Sequence, residues 1–315
     1  LEGFPPPWRK RNEADVRPPG GDPLAMPEIA YVDGEFMDLA EARVSVEDRG
    51  FQFGDGVYEV VRCYRAAPFA LDEHLGRLER SASAIELSLP EGRSVLRDVM
   101  LEAVRRSELP EAVLYVQVTR GWAPRGHAFP EAAKPTLVVT VRPARPAPPE
   151  RLLLGVPVIT VPDERWLRCD IKCTDLLANV IAKERARRAG ALEAIMIRDG
   201  AYVTEGASTN VFAVRDGTIY TAPEGPRILS GITRSVVLRL ARESGIPVVE
   251  DFFAPSLLTR AEEVFITSTT LEVVPCVRVD GLPVGDGKPG PVTRALASAY
   301  AAEVERLVGN APKPA

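Results

Sequence analysis

From Arg142 to Pro149 the chain reads Arg-Pro-Ala-Arg-Pro-Ala-Pro-Pro. Four prolines in eight residues remove backbone donors and fix φ, so this stretch can neither continue a helix nor sit inside a sheet. It reads as a stiff linker between two folded units. The boundary is expected near residue 148, giving a small N-terminal domain over 29–147 and a larger C-terminal domain over 148–315. A second proline-rich stretch, from Pro5 to Pro27 among charges and glycines, sets residues 1–28 apart as a disordered or extended leader. A chain of 315 residues is long enough for two such domains.

The N-terminal part is rich in strand signals. Ile29–Val32, the Asp33-Gly34 turn and Glu35–Met37 form a hairpin pattern, and 57–64, 113–119 and 136–141 read as strands. A Gly/Pro-rich loop spans 121–130. Asp72 is placed to cap a helix whose apolar residues Leu75, Leu78, Ala82 and Ile85 recur at spacings of three and four, leaving His74, Arg77 and Ser81 on a stripe turned away from that core face. Beyond the linker the expectation is a strand over 152–161, a helix over 175–189 stopped by Gly190, and a strand over 193–198. A hairpin around Asp216-Gly217, a helix over about 233–244 before Gly245, and strands near 248 and 264–267 follow. The alternation predicts a mixed α/β fold.

A net charge of -5 with interspersed signs and no basic stripe argues against nucleic acid as a partner. No run approaches the roughly 20 apolar residues of a membrane span and no signal peptide is evident, so no membrane association and a cytoplasmic location are expected. Cys63, Cys169, Cys173 and Cys276 lack the spacing of a disulfide framework. Cys169 and Cys173 could in principle pair or bind metal, but His74 and His127 are far off in sequence, and no metal site is expected.

Lysine is scarce. Only Lys10, Lys134, Lys172, Lys183, Lys288 and Lys313 occur, and Lys172 alone sits at a semi-buried strand-loop-helix junction, Cys169-Asp-Ile-Lys-Cys-Thr-Asp-Leu-Leu177. Burial lowers a lysine pKa and frees the amine to act as a nucleophile, although a structural ion pair would use the same residue. Val203-Thr-Glu-Gly-Ala-Ser-Thr-Asn210 gathers an acid and small hydroxyl residues around a glycine. It is either an ordinary loop or a place where Glu205 holds a proton on a cofactor ring nitrogen. Ser230-Gly-Ile-Thr-Arg234 opens a helix whose first N–H groups can hold a phosphate or simply be capped, and Phe265-Ile-Thr-Ser-Thr-Thr270 ends a strand in hydroxyls. Arg125-Gly-His127 can donate to a carboxylate, or be a solvated basic loop.

Glu47-Asp-Arg-Gly-Phe-Gln-Phe-Gly-Asp-Gly-Val-Tyr-Glu-Val60, Gln117-Val-Thr-Arg-Gly121, Trp166-Leu-Arg-Cys-Asp-Ile-Lys172, Thr204-Glu-Gly206, Gly231-Ile-Thr-Arg234 and Thr267-Ser-Thr-Thr270 form an ordered set of motifs within a match that runs from about residue 29 to about 300. In this the chain resembles the class IV (fold-type IV) pyridoxal-phosphate (PLP) aminotransferases, and among them the bacterial D-amino-acid aminotransferases. The resemblance implies a two-domain fold-type IV architecture, a small N-terminal α/β domain and a larger C-terminal pseudo-barrel. It implies that Lys172 carries pyridoxal 5'-phosphate covalently and moves the proton, and that Glu205 faces the ring nitrogen. Arg77, Ile232, Thr233, Ser268 and Thr269 would hold the phosphate, Ser208 would be a polar neighbour of the cofactor, Leu229 would pack on the ring, and Arg165 would stand behind the lysine strand. Tyr58, with Arg125 and His127 reaching in from the other subunit of a homodimer, would bind the substrate carboxylate.

The implied reaction is ping-pong transamination between a D-amino acid, such as D-alanine or D-glutamate, and pyruvate or 2-oxoglutarate. A branched-chain L-amino-acid aminotransferase, an (R)-selective amine transaminase and a 4-amino-4-deoxychorismate lyase share the cofactor set, and Arg125-Gly-His127 argues against the first. A non-catalytic PLP carrier would need neither Glu205 nor that pair. The chain departs from the family pattern in two places. Asp175, which could cap the following helix, stands where many relatives have asparagine, and Ala207 replaces a common hydroxyl.

Overall fold

Strict alternation over Glu111–Thr119 puts Ala112, Leu114, Val116 and Val118 on one face, and all four are fully buried. This strand lies inside a six-stranded sheet in the computed structural model, which describes residues 28–90, 92–145 and 148–309. Residues 1–27 of the expected leader and part of the expected linker, residues 146–147, lie outside the described residues. The first half of the chain comprises β1 (Ile29–Val32), β2 (Glu35–Asp38), α1 (Arg49–Phe53), β3 (Gly56–Tyr64), β4 (Ala67–Pro68), α2 (Leu71–Ala84), α3 (Gly92–Ser107), β5 (Glu111–Thr119) and β6 (Thr136–Pro143). The sheet order is β2-β1-β6-β5-β3-β4 with antiparallel neighbours throughout. Leu75 and Leu78 of α2 and Leu96 and Met100 of α3 close one face of it, each such side chain contributing about 1.5–3 kcal/mol through burial.

The second half comprises α4 (Pro149–Leu154), β7 (Val156–Pro162), α5 (Leu177–Arg188), β8 (Glu193–Arg198), β9 (Tyr202–Gly206), β10 (Asn210–Arg215), β11 (Thr218–Thr221), α6 (Ile232–Glu243), β12 (Val248–Glu250), α7 (Ser256–Arg260), β13 (Glu263–Ser268), β14 (Glu272–Val279), β15 (Leu282–Pro283) and α8 (Pro291–Gly309). Its strands form a mixed sheet, β12-β11-β10-β13-β14-β7-β8-β9, with β15 on β14. β9, at one end of that order, comes back against β10, so the sheet curls toward a barrel. α6 and α8 cover β10, β11 and β13, where Phe212 and Phe265 stack with ring centroids 4.6 Å apart. Among the described residues no helix is long and apolar enough to cross a membrane.

Three local expectations are corrected. Asp72 does not cap α2, whose N-cap is Ala70 in the left-handed region. Its carboxylate instead accepts from Arg97 at 2.7 Å and Arg93 at 3.3 Å, because α3 brings two guanidiniums within reach. The strand expected from 152 begins at Val156, since a proline in the first turn favours a helical start at 149 and Gly155, at φ 74°, ends that helix. Asp175 does not cap α5, which starts two residues later behind Leu176 without a side-chain cap. The stripe of His74, Arg77 and Ser81 does turn from the Leu75 face, yet all three are buried, because β3 and the loop around Lys172 pack over it.

Candidate active site

The pleat of β3 sends Val57, Glu59 and Val61 toward buried surroundings and leaves Tyr58 and Val60 on the wall of a cleft of about 830 Å³. β4 pairs with only the far end of β3, so the near edge is free for another segment. The lysine loop takes it. Tyr58 N–H donates to Lys172 O at 3.0 Å, Thr174 N–H donates to Gly56 O at 3.0 Å, and Lys172 N–H donates to Ser81 Oγ at 3.1 Å. Ile171 and Cys173 thereby join the hydrophobic core of the first sheet although they follow β7 in the chain. Between them Lys172 turns its Nζ to within 4.3 Å of the Tyr58 ring centroid. Burial, followed by the nearby Arg77 charge, pushes this amine down to about 8. Burial and the Glu59 charge push the Tyr58 hydroxyl up to about 12. Among the described residues Lys172 is the only lysine on the cleft wall.

Arg77 reaches the same wall from α2. Its Nε and Nη2 donate to Glu59 Oε1 and Oε2 at 2.7 and 2.9 Å, and its Nη1 donates to Ser230 O at 2.9 Å, tying the first sheet to the entrance of α6. His74 Nδ1 lies 2.7 Å from Glu59 Oε2. Burial works to raise the Glu59 carboxyl, but Arg77 and His74 outweigh it and hold it at about 2.

Across the cleft, Glu205 is buried one residue before the end of β9. It accepts from Arg165, from Leu229 N–H at 3.1 Å and from Asn210 Nδ2 at 3.1 Å, which leaves room on its oxygens for another donor. Arg165 is itself fixed by Asp163 at 2.9 Å. Burial raises the Glu205 carboxyl, opposed by Arg165 and the Leu229 N–H. The backbone must be glycine at 206, since a Cβ there would stand 2.1 Å from Thr209 Oγ1.

The third wall is the start of α6. Gly231 is its N-cap and provides no side-chain cap, so the Ile232 and Thr233 N–H groups point outward at the positive end of the helix dipole. Opposite them lie Thr267, Ser268, Thr269 and Thr270, and Thr267 Oγ1 is buried without a hydrogen-bond partner. Two outward N–H groups, one guanidinium and an orphaned hydroxyl are the donor set a phosphate needs. A nucleophilic amine and a buried carboxylate on the facing walls suit the aldehyde and ring nitrogen of a pyridoxal phosphate. The residues present fit that group.

The structure therefore brings Tyr58, Arg77, Arg165, Lys172, Glu205, Ser208, Leu229, Ile232, Thr233, Ser268 and Thr269 to one cleft. Ser208 is at its margin, with its hydroxyl donating to Glu193 Oε2 at 2.8 Å. Arg125 and His127 are not on that wall; they stand exposed on the loop after β5. The sequence reading overlooked Glu59, an acid on the buried phase of a strand, and Asn210, the last residue of the Thr204–Asn210 cluster. Thr267 belongs to the hydroxyl run at the end of its strand, and only the structure shows that its hydroxyl is buried without a partner.

A family model described as amino-transferase class IV matches residues 56–279. The D-alanine aminotransferase of Staphylococcus haemolyticus is 45% identical over 275 residues, covering 87% of this chain and 97% of its own. That of Bacillus licheniformis is 45% identical over 266 residues, covering 84% and 93%. Among solved structures, a branched-chain amino acid aminotransferase from T.th. with pyridoxamine 5'-phosphate superposes with a TM-score of 0.83 at 29% identity, covering 91% of this chain and 96% of that one. The branched-chain amino acid aminotransferase from Escherichia coli gives a TM-score of 0.81 at 27% identity, covering 88% and 94%.

Proposed function

The chain belongs to the class IV aminotransferases, and from that membership we propose that it transfers an amino group between a D-amino acid, such as D-alanine or D-glutamate, and pyruvate or 2-oxoglutarate. Its cofactor is pyridoxal 5'-phosphate. The D-specific reading is supported by relatives named D-alanine aminotransferase at 45% identity, against 27–29% for the branched-chain enzymes. The observation that carries the reading is the meeting of a buried amine at Lys172, a buried carboxylate at Glu205 and the outward N–H groups of α6 around one cleft.

The bound cofactor supplies an aldehyde that condenses with primary amines and a ring that accepts the electron pair left when an α-proton departs. Lys172 Nζ would hold the cofactor and would be the base that takes the substrate α-proton and returns it. Glu205 accepts from the ring nitrogen and so holds a proton there. Arg77, the N–H groups of Ile232 and Thr233, the Thr233 hydroxyl, Ser268 and Thr269 hold the phosphate. Leu229 would pack on the ring, Ser208 would be a polar neighbour at the cleft margin, and Arg165 stands behind Glu205.

For the substrate carboxylate the reading assigns Tyr58, with Arg125 and His127 supplied by a second copy in a homodimer. A division at residue 148 leaves Tyr58 and Arg77 in the domain 29–147 and Lys172 and Glu205 in the domain 148–315, with catalysis between them. A cytoplasmic location belongs to the same reading. The test is spectroscopic. The yellow holoenzyme should bleach when D-alanine is added without an oxo acid; bleaching by L-leucine and not by D-alanine would overturn the stereochemical assignment.

A further inference from the structure

Phe53, at the end of α1, is surrounded by three groups from the surface loop and its support. Arg125 Cζ lies 4.6 Å from its ring centroid, Arg49 Cζ 4.9 Å, and the His127 ring 5.6 Å. Arg49 is buried and donates Nη1 to Gly126 O at 2.6 Å and Nη2 to His127 O at 3.4 Å. Its charge is met by Asp55 at 2.8 Å, which also accepts from Arg120 at 2.9 Å. Arg120 is locked in turn by Ile85 O and Glu86 O. Asp48 seats α1 itself, accepting from Gly50 N–H at 2.8 Å and from the Thr119 and Thr136 hydroxyls at 2.9 and 2.8 Å.

The loop is thus fastened where it needs to be stiff. The carbonyls of Gly126 and His127 are both tied to a buried guanidinium, while the exposed side chains of Arg125 and His127 both lie against the Phe53 ring. An arginine and a histidine on a free loop would point in many directions. Here the π-face of Phe53 attracts a cation, and the neutralised Arg49 fixes the backbone between the two.

We infer that Arg49 and Phe53 are positioning residues for substrate carboxylate binding, holding Arg125 and His127 in one arrangement before substrate arrives. This rests on the proposed role of Arg125 and His127 as carboxylate donors. Neither Arg49 nor Phe53 lines the cleft of its own chain, so the effect passes through the loop. Misplacing a binding group by about an ångström costs one to two orders of magnitude.

The experiment compares Phe53→Leu, Phe53→Tyr, Arg49→Lys and Arg125→Ala holoenzymes in steady state with D-alanine and pyruvate, and follows cofactor retention by absorbance. Phe53→Leu and Arg49→Lys should each raise KM for D-alanine roughly tenfold, with kcat within about threefold and the cofactor retained. Phe53→Tyr, which keeps the ring, should stay near the parent. Added to Arg125→Ala, Phe53→Leu should bring no further rise, since both act through one group. Unchanged KM in Phe53→Leu, or a fully additive double variant, overturns the inference. If Arg49→Lys does not fold, Phe53→Leu decides alone. Arg125→Ala separates the two levels. If it leaves KM unchanged the carboxylate reading fails, whereas if it raises KM while Phe53→Leu does not, only the positioning inference fails.

Discussion

Glu59 grips Arg77 with both carboxylate oxygens, at 2.7 and 2.9 Å, and neither side chain is more than 5% exposed. The pair aims the remaining guanidinium nitrogen across the cleft at Ser230 O, so a strand of the first sheet sets the place of the guanidinium proposed to meet the phosphate beside α6.

Replacing Glu59 by Gln should leave a buried arginine without its counter-charge, a loss of about 3–5 kcal/mol in stability. The pH dependence has a definite sign. The Glu59 carboxyl is depressed from 4.5 to about 2, so its stabilisation is complete above the unfolded value and is lost as pH falls through the folded one. Over that window the parent should lose on the order of 2–3 kcal/mol from this site. Urea unfolding between pH 5 and pH 2 should therefore show a steeper decline for the parent than for Glu59→Gln. Parallel curves would mean that the site does not couple to the fold as described.

Lys172 should condense with pyridoxal phosphate well below the pH an ordinary lysine needs. Its amine is lowered to about 8, so the neutral form grows in as pH rises through that value and saturates above it. Stopped-flow absorbance on the cofactor-free protein should show the rate of uptake rising through about pH 8, half-maximal there, and levelling roughly one unit above it. A rate still climbing near the unperturbed lysine value of about 10.4 would contradict the burial argument.

If Glu205 faces the ring nitrogen as proposed, Glu205→Gln removes the charge that would hold a proton there but keeps the shape beside Arg165, Leu229 and Asn210. Losing a preorganised electrostatic partner in a buried site should lower kcat roughly 100-fold. KM for D-alanine should change little, since the residue meets the ring and not the carboxylate. A change confined to KM would place Glu205 elsewhere in the reaction.

A methyl group at position 231 should loosen the cofactor. The Cβ of Gly231→Ala would stand 2.0 Å from Asn210 Oδ1, and Asn210 cannot yield freely because its Nδ2 holds Glu205 Oε2 and Leu229 O. Overpacking of this kind costs about 1–3 kcal/mol. Equilibrium dialysis should show weaker pyridoxal phosphate retention, and thermal unfolding a lower Tm. Parent-like values in both would show that α6 can shift to accommodate it.

The candidate site was legible through the ordered family motifs rather than through its residues one by one, because a lysine at a junction, an acid before a glycine and a Gly-Ile-Thr helix start each have an ordinary structural reading when taken singly. The hairpins and most strands were legible directly, the Asp-Gly turns at 33–34 and 216–217 and the alternation of Val113–Thr119 being local signals. Pairings across the fold were not. Arg77 with Ser230, or Lys172 with Tyr58, depends on which segment fills the free edge of β3, and no periodicity carries that information. The false cap at Asp72 failed likewise, since the arginines that claim its carboxylate arrive from α3. The helix at Pro149–Leu154 was hidden because a proline run reads as a breaker although proline is welcome in a first turn.

The central claim is that one particular amine, that of Lys172, carries pyridoxal phosphate. Borohydride reduction of the resting holoenzyme, followed by proteolysis and mass spectrometry, tests it directly. The pyridoxyl mass is predicted on the peptide containing Lys172 and on no other lysine peptide; its appearance on Lys183 or Lys134, or its absence altogether, would contradict the account.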